Sequence, residues 1–132
     1  MGVEYLIDTD ILIYYFNGLV KSKELDKVIK NSFNISIITK IEFLSWDILK
    51  INKDLEKKAI KFINCARVYS LNNEVANKTI DLRQNNRIKI PDAIIASTAL
   101  FFNFTLLTNN VKDFKILGLK VISIDNLSHT SK

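Results

Sequence analysis

The sequence predicts an α/β domain in which a parallel sheet is covered by helices on both faces. Three observations lead to this prediction. The chain has 132 residues, which is the usual size of one domain, and it contains no linker rich in Pro, Gly or Ser. Short, uniformly apolar runs alternate with longer amphipathic segments. Uniformly apolar strands that alternate with helices are typical of a parallel sheet buried on both faces.

Each element is predicted from local signals along the chain. The strands are short, apolar and mostly β-branched or aromatic, and they cover residues 3–7, 34–38, 67–71, 105–107 and 120–124. The helices are predicted from capping residues and apolar stripes, and they cover residues 10–16, 22–31, 39–51, 54–65, 73–86 and 91–102. Asp10 is interpreted as the cap of the first helix, and Pro91 as a helix-start residue. Thr39 and Glu42 have the spacing of a capping box. We expect one domain over residues 1–127, followed by a short tail that frays over residues 128–132.

The composition excludes several kinds of catalytic site. His129 is the only histidine, so neither a Ser-His-Asp triad nor a histidine-based zinc site is expected. Cys65 is the only cysteine, which excludes a four-cysteine zinc site and fits a reducing compartment. Three glycines cannot form a P-loop or a dinucleotide-binding fingerprint. Carboxylates remain as the main catalytic groups, and oxygen ligands favour Mg2+ or Mn2+.

Charge and hydropathy predict the compartment and the kind of substrate. No segment is apolar and long enough to span a bilayer, and the acidic N-terminus does not suit a signal peptide, so a cytosolic location is expected. The net charge is +5, from 19 basic and 14 acidic residues. A basic surface beside an acidic site suits a polyanion such as nucleic acid.

Four acidic residues stand beside apolar segments at positions that converge on one edge of the predicted sheet. Asp8 follows the first strand, and Glu42 lies a few residues after the second. Asp92 opens the helix before the fourth strand, and Asp113 follows that strand. In parallel α/β folds the site lies beyond the carboxyl ends of the strands. Carboxylates that meet there repel one another by about 4 kcal/mol per pair at 4 Å, and a divalent cation would relieve this repulsion. Each acid alone also fits a strand-end, capping or turn position.

Four segments resemble a known family in their order and spacing. They are LIDTDILIYYF, SIITKIEFL, KIPDAIIASTAL and LLTNNVKDFKILGLKVI. Over nearly its full length the chain is similar to a PIN domain of the VapC toxin type. The resemblance implies a three-layer α/β/α sandwich and an Mg2+- or Mn2+-dependent endoribonuclease. It implies that Asp8 and Asp92 are the principal metal-binding carboxylates and that Glu42 is the third acid. The fourth position is filled by either Asn110 or Asp113, and Glu42 or Asp113 would orient or deprotonate the attacking water.

The same resemblance suggests how the substrate is bound and which partners the protein has. Thr108 would orient a water molecule or a phosphate. Arg83, Arg87 and Lys89 precede Asp92 and are candidates to hold the RNA backbone, although solvated surface residues would look the same. A small antitoxin and a homodimer are the expected partners. The apolar segment 43–51 is either a buried helix or a surface for such a partner.

Two rival functions fit part of the pattern. A haloacid-dehalogenase-like phosphatase would use Asp8 as a covalent nucleophile and Asp10 as the acid, because an Asp-x-Asp sequence follows the first strand. The residues after Asp10 are Ile11 and Leu12, which do not fit that motif well. The second rival is a PIN-like protein that binds RNA or a partner without cutting, which an amide at Asn110 in place of an acid would favour.

Overall fold

The computed structural model describes residues 2–19 and 22–130, and for residues 128–130 it describes the backbone alone. In this part of the chain five parallel strands form one sheet, in the order β3-β2-β1-β4-β5. The strands are β1 (Tyr5–Ile7), β2 (Asn34–Ser36), β3 (Arg67–Tyr69), β4 (Thr105–Leu107) and β5 (Val121–Ile122). The helices are α1 (Thr9–Phe16), α2 (Lys23–Asn31), α3 (Ile37–Leu44), α4 (Ile48–Ile51), α5 (Lys53–Ile63), α6 (Asn73–Asn85), α7 (Ile90–Phe101), α8 (Val111–Lys115) and α9 (Ile124–Thr130).

The two central strands are apolar on both faces because each face is covered by helices. Leu6 of β1 pairs in register with Leu106 of β4, and both belong to a buried cluster with residues of α6 and α7. Ile7 and Leu107 are the next pair, and they point to the opposite face, where residues of α1, α2, α3 and α5 surround them. The three-layer α/β/α sandwich with a parallel sheet is therefore confirmed.

The predicted start of the third helix is wrong, and the difference bears on the site. The Ser36 side chain accepts a hydrogen bond from the Ile38 N–H at 3.1 Å and caps α3, so the helix begins at Ile37. The predicted strand 34–38 is accordingly shorter, and Thr39 and Glu42 are not a capping box. Because the helix begins earlier, Glu42 lies in its second turn and is free to contact another element.

Two further boundaries differ from the prediction. Asp8, not Asp10, is the N-cap of α1, because its Oδ1 accepts a hydrogen bond from the Thr9 N–H at 2.8 Å. The predicted helix over residues 39–51 is two helices, with α3 ending at Leu44 and α4 beginning at Ile48. The predicted tail 128–132 overlaps the end of α9, and its last two residues lie outside the described residues. Its boundary with the domain therefore stays a prediction.

Among the described residues, no helix combines the length and the apolar character needed to cross a membrane.

Candidate active site

The candidate site lies at the carboxyl ends of the neighbouring strands β1 and β4. Asp8 follows β1 directly and Thr108 follows β4. The Thr108 hydroxyl is fully buried and donates a hydrogen bond of 2.7 Å to Asp8 Oδ2. The same hydroxyl oxygen accepts the Asn110 N–H at 3.0 Å. Thr108 therefore fixes the Asp8 carboxylate and the start of the following loop. The enclosed hydroxyl thus makes its hydrogen bonds to Asp8 and Asn110.

Asp8 is a buried carboxylate whose environment disfavours its charge. Its side chain is 8% exposed. The pKa of Asp8 is raised from 3.8 to about 7, chiefly by burial and also by the neighbouring carboxylates of Asp10 and Asp92, while hydrogen bonds from Thr108 and Thr9 oppose the shift. In the absence of a cation, Asp8 is therefore close to half protonated at neutral pH. A group of this kind at a sheet edge is a functional-site candidate on physical grounds.

Asp10 also belongs to the acidic cluster, although the nuclease interpretation of the sequence gave it only a capping role. Asp10 Oδ1 accepts the Ile11 N–H at 2.7 Å, and its Oδ2 accepts the Asn109 N–H at 3.3 Å. Burial raises the pKa of Asp10, and the charge of Asp92 adds to the shift. Asp10 thus joins α1 to the loop after β4. The only signal for this in the sequence was its spacing of two residues from Asp8.

Asp92 extends the cluster from the first turn of α7. Burial raises the pKa of Asp92, the Lys89 cation lowers it, and the charge of Asp113 raises it. Asp113 is exposed on α8. The predicted positions Asp8, Asp92 and Asp113 are thus brought together at this edge, with Asp10 among them.

Glu42 reaches the same edge through a different contact. Its Oε1 accepts a hydrogen bond of 2.6 Å from the Thr9 hydroxyl, and Thr9 directly follows Asp8. The Thr9 hydroxyl also lies 3.2 Å from that of Thr39, one helical turn before Glu42. The Thr9 hydroxyl thus orients one carboxylate oxygen of Glu42, and the Glu42 side chain is otherwise exposed to solvent. This arrangement suits a group that handles a water molecule.

The predicted substrate-binding residues divide into two groups. Arg87 and Lys89 line a pocket together with Asp92 and Asp113. Arg83 instead lines an apolar groove between α6 and α7, and its Nε donates to the Ile88 carbonyl at 3.1 Å. This hydrogen bond therefore stabilises the segment that joins α6 to α7. Of the three basic residues, only Arg87 and Lys89 therefore line a pocket that also contains residues of the acidic cluster.

The donor set fits a hard divalent cation that keeps part of its water shell. Within residues 2–19 and 22–130, no three acidic, histidine or cysteine side chains are arranged to hold a metal ion by themselves. Mg2+ commonly takes one or two carboxylates and completes its octahedron with water. Asp8 and Asp92 could supply these carboxylates, and the mutual repulsion within the cluster gives a reason for a cation to bind there.

Both the sequence and the fold are similar to those of known proteins. A family model described as PIN domain matches residues 5–118. A chain of VapBC2 from Rickettsia felis, bound to a DNA fragment from their promoter, is 25% identical with a TM-score of 0.78, covering 92% of this chain and 98% of that one. A chain of a toxin-antitoxin complex from Klebsiella pneumoniae is 29% identical with a TM-score of 0.68, covering 84% and 90%. A chain of VapBC-1 from nontypeable Haemophilus influenzae, at 24% identity and a TM-score of 0.74, shares the fold over 92% and 98%. No curated protein matches the sequence.

Proposed function

Because this chain belongs to the PIN domain family and is a nuclease of the VapC toxin type, we propose that it hydrolyses phosphodiester bonds of single-stranded or loop RNA with the help of Mg2+ or Mn2+. One observation carries the proposal. The carboxylates of Asp8, Asp10 and Asp92 interact at the carboxyl edge of the sheet, and all three have raised pKa values. Two basic residues border this cluster, which supports a polyanionic substrate.

The cation would be held by Asp8 and Asp92. When bound, it would supply positive charge that polarises the phosphodiester group and eases deprotonation of a water molecule. Thr108 would hold Asp8 in the orientation needed to bind the cation. Its hydroxyl donates to Asp8 Oδ2, while Asp8 Oδ1 accepts the Thr9 N–H and caps α1. Asp10 would add negative charge to the site and hold the loop of Asn109 in place.

Glu42 is proposed as the group that orients and deprotonates the attacking water. The hydrogen bond from Thr9 fixes one carboxylate oxygen and leaves the exposed remainder available. Attack in line with the leaving 3′ oxygen would form a bond between water oxygen and phosphorus and break the bond to that oxygen. The products would be a 5′-phosphate and a 3′-hydroxyl. Asp113 is exposed near Asp92 and is proposed to fill the fourth acidic position, because the side chain of Asn110 cannot carry a charge.

The first test is cleavage of a mixed-sequence single-stranded RNA by the purified chain with Mg2+, with Mn2+ and with EDTA. Cleavage is expected with either cation and not with EDTA. In an Asp92→Asn variant it should fall by at least about a hundredfold, because a neutral amide holds the cation poorly.

Asp10→Asn is the comparison variant, since the asparagine oxygen can still accept one of the two N–H groups, from Ile11 and Asn109, that Asp10 accepts. Cleavage by this variant should stay within about tenfold of the parent, because Asp10 is not proposed to bind the cation directly. A phosphatase that used Asp10 as its acid would instead lose its activity entirely. RNA binding without cleavage under every condition would contradict the nuclease proposal and favour a binding role.

Two exposed apolar surfaces support the proposed partners. Ile41, Ile48 and Ile51 lie exposed on α3 and α4, and we propose that this surface contacts an antitoxin, as the relatives found in toxin-antitoxin complexes suggest. Ile80 and Ile90 are exposed at the groove between α6 and α7, which we propose as the contact between two copies of the chain.

Charged substitutions should separate these two surfaces. Ile51→Asp is expected to abolish copurification with a coexpressed candidate antitoxin and to leave a homodimer intact. Ile80→Asp is expected to do the reverse, because each charge would have to be buried in only one interface. Sedimentation and copurification of both variants provide the measurement. A parent chain that sediments as a strict monomer at high concentration would contradict the homodimer.

A further inference from the structure

A pocket of about 350 Å3 opens beside Asp92 and combines charged with apolar side chains. We call it the side pocket. Its lining comes from the segment that leads into α7 and from α8 with the turn that follows. The lining includes Arg87, Lys89, Asp92, Asp113, Ile116 and Leu117. The nuclease chemistry proposed above uses Asp92 and Asp113 and leaves the apolar residues without a role.

We propose that the side pocket binds one unpaired nucleotide of the RNA, next to the bond that is cut, and gives the enzyme a preference among bases. The base would lie against Ile116 and Leu117, and its phosphate would lie near Arg87 and Lys89. This inference rests on the proposed RNA cleavage and adds the residues that select the substrate.

The apolar side chains of the pocket would be in a more favourable environment against a nucleotide base than against water. The Ile116 side chain is 74% exposed, Leu117 is half-buried, and Phe114 is buried beneath them as part of the core. A single exposed isoleucine is common on protein surfaces. Here, however, it lies at a pocket that also contains carboxylates of the proposed site. Enzymes that act on nucleic acids hold unstacked bases against apolar side chains, and arginine planes stack on unpaired bases of RNA.

The basic part of the pocket favours RNA over a protein segment as the occupant. Arg87 and Lys89 are both exposed. Neither takes part in a salt bridge with a carboxylate in the described ranges 2–19 and 22–130. Lys89 nevertheless lies close enough to Asp92 to lower its pKa. Two cations without fixed partners at the rim of an acidic site suit a phosphate backbone that passes over it.

The position of Asp92 places the bound nucleotide relative to the reaction. Asp92 lines the side pocket and also interacts with Asp8 in the acidic cluster. A phosphodiester group held at the cluster would therefore have its neighbouring nucleotide within reach of the pocket. Contacts in the side pocket would then determine which RNA sequences are cut preferentially. The acidic cluster would contribute to cleavage equally for every sequence.

Binding of labelled oligo-A, oligo-C, oligo-G and oligo-U to the full chain tests this inference by fluorescence anisotropy. All variants carry Asp8→Asn, which is expected to prevent cleavage and lies outside the pocket. Ile116→Ala should weaken binding of the preferred oligonucleotide by about tenfold and reduce the differences among the four, since the truncation removes most of the apolar surface against which the base would lie. Leu19→Ala is the matched control, because Leu19 is similarly exposed, at 68%, after α1 and belongs to neither the acidic cluster nor a proposed interface. It should change binding by less than about twofold, as surface substitutions usually do.

Two further variants separate the base contact from the phosphate contact. Arg87→Ala should weaken all four oligonucleotides alike and lower the salt dependence of binding, whereas Ile116→Ala should leave the salt dependence unchanged. Ile116→Tyr should strengthen binding, because an aromatic ring stacks on a base more favourably than an aliphatic chain. If Ile116→Ala and Ile116→Tyr both behave like Leu19→Ala while the parent binds RNA, the side pocket is not a nucleotide site. If Ile116→Ala instead leaves RNA binding unchanged and weakens binding of a protein partner, the side pocket binds a protein. A parent that binds no RNA overturns the proposed function and this inference with it.

Discussion

Replacing Asp8 by asparagine is expected to abolish RNA cleavage and, in metal-free buffer, to stabilise the fold. The pKa of Asp8 is raised from 3.8 to about 7, so the folded state favours the neutral carboxyl. The resulting contribution to stability is fully present below about pH 4 and is lost as the pH rises to about 7. Asparagine is nearly isosteric with the neutral form and retains an oxygen that can accept the Thr9 N–H. At pH 8 the gain in unfolding free energy should approach about 4 kcal/mol, because each pKa unit corresponds to about 1.4 kcal/mol.

Unfolding of Asp8→Asn and of the parent in EDTA at pH 5 and pH 8 measures this effect. The gain should be clearly smaller at pH 5, where much of the Asp8 population in the parent is still neutral. Asp54→Asn is a suitable control because Asp54 is exposed on α5, away from the acidic cluster. Equal gains at the two pH values would mean that burial of the Asp8 charge is not what destabilises the parent.

The same shift connects stability to cation binding. A divalent cation binds the deprotonated carboxylate, so its affinity should increase as the pH rises through about 7. Stabilisation of the parent by Mn2+ should therefore be larger at pH 8 than at pH 6, and Asp8→Asn should show little of it. Burial and mutual repulsion of the carboxylates in the acidic cluster would thus destabilise the metal-free fold, and the same features would favour binding of a cation.

The sheet and the edge that carries the site could be predicted because they depend on short-range patterns. Uniformly apolar runs identify strands that are buried on both faces, as Leu6 and Ile7 of β1 are. Once the sheet is parallel, residues that follow strands must collect at its carboxyl edge. Asp8 and Asp113 were placed there by this rule alone. Their approach to Asp92 required only that α7 begin beside the same edge.

The contacts within the site could not be predicted in this way because they join distant parts of the chain. The hydrogen bond from the Asn109 N–H to Asp10 spans 99 positions, and nothing near Asp10 distinguishes this role from a helix cap. The start of α3 depends on the side chain of Ser36, which competes with the capping signal at Thr39. Arg83 lies on α6 and Arg87 lies after its end, and the sequence alone did not place their side chains accurately enough to separate the two.

Thr108→Val is expected to impair both folding and catalysis, because the buried Thr108 hydroxyl holds the Asp8 carboxylate. The substitution removes the hydrogen bond to Asp8 and leaves the Asn110 N–H without its acceptor. Hydrogen bonds to charged groups contribute about 1.5–3 kcal/mol, so the loss of unfolding free energy at pH 8 should be about 2–4 kcal/mol with the second bond included. The cleavage rate constant should fall about 10- to 100-fold with a nearly unchanged KM, as for other residues that orient a metal ligand.

The pH profile of Thr108→Val distinguishes a positioning role from general destabilisation. The hydrogen bond from Thr108 lowers the pKa of Asp8, so its removal should raise that pKa and shift the acidic limb of the cleavage profile to higher pH. Thr108→Ser keeps the hydroxyl and loses one methyl group, so it should cost only about 1 kcal/mol and leave the profile in place. If the serine and valine variants show the same profile, the hydroxyl does not control Asp8. If only valine shifts it, the ionisation of Asp8 depends on the hydroxyl of a side chain 100 residues away.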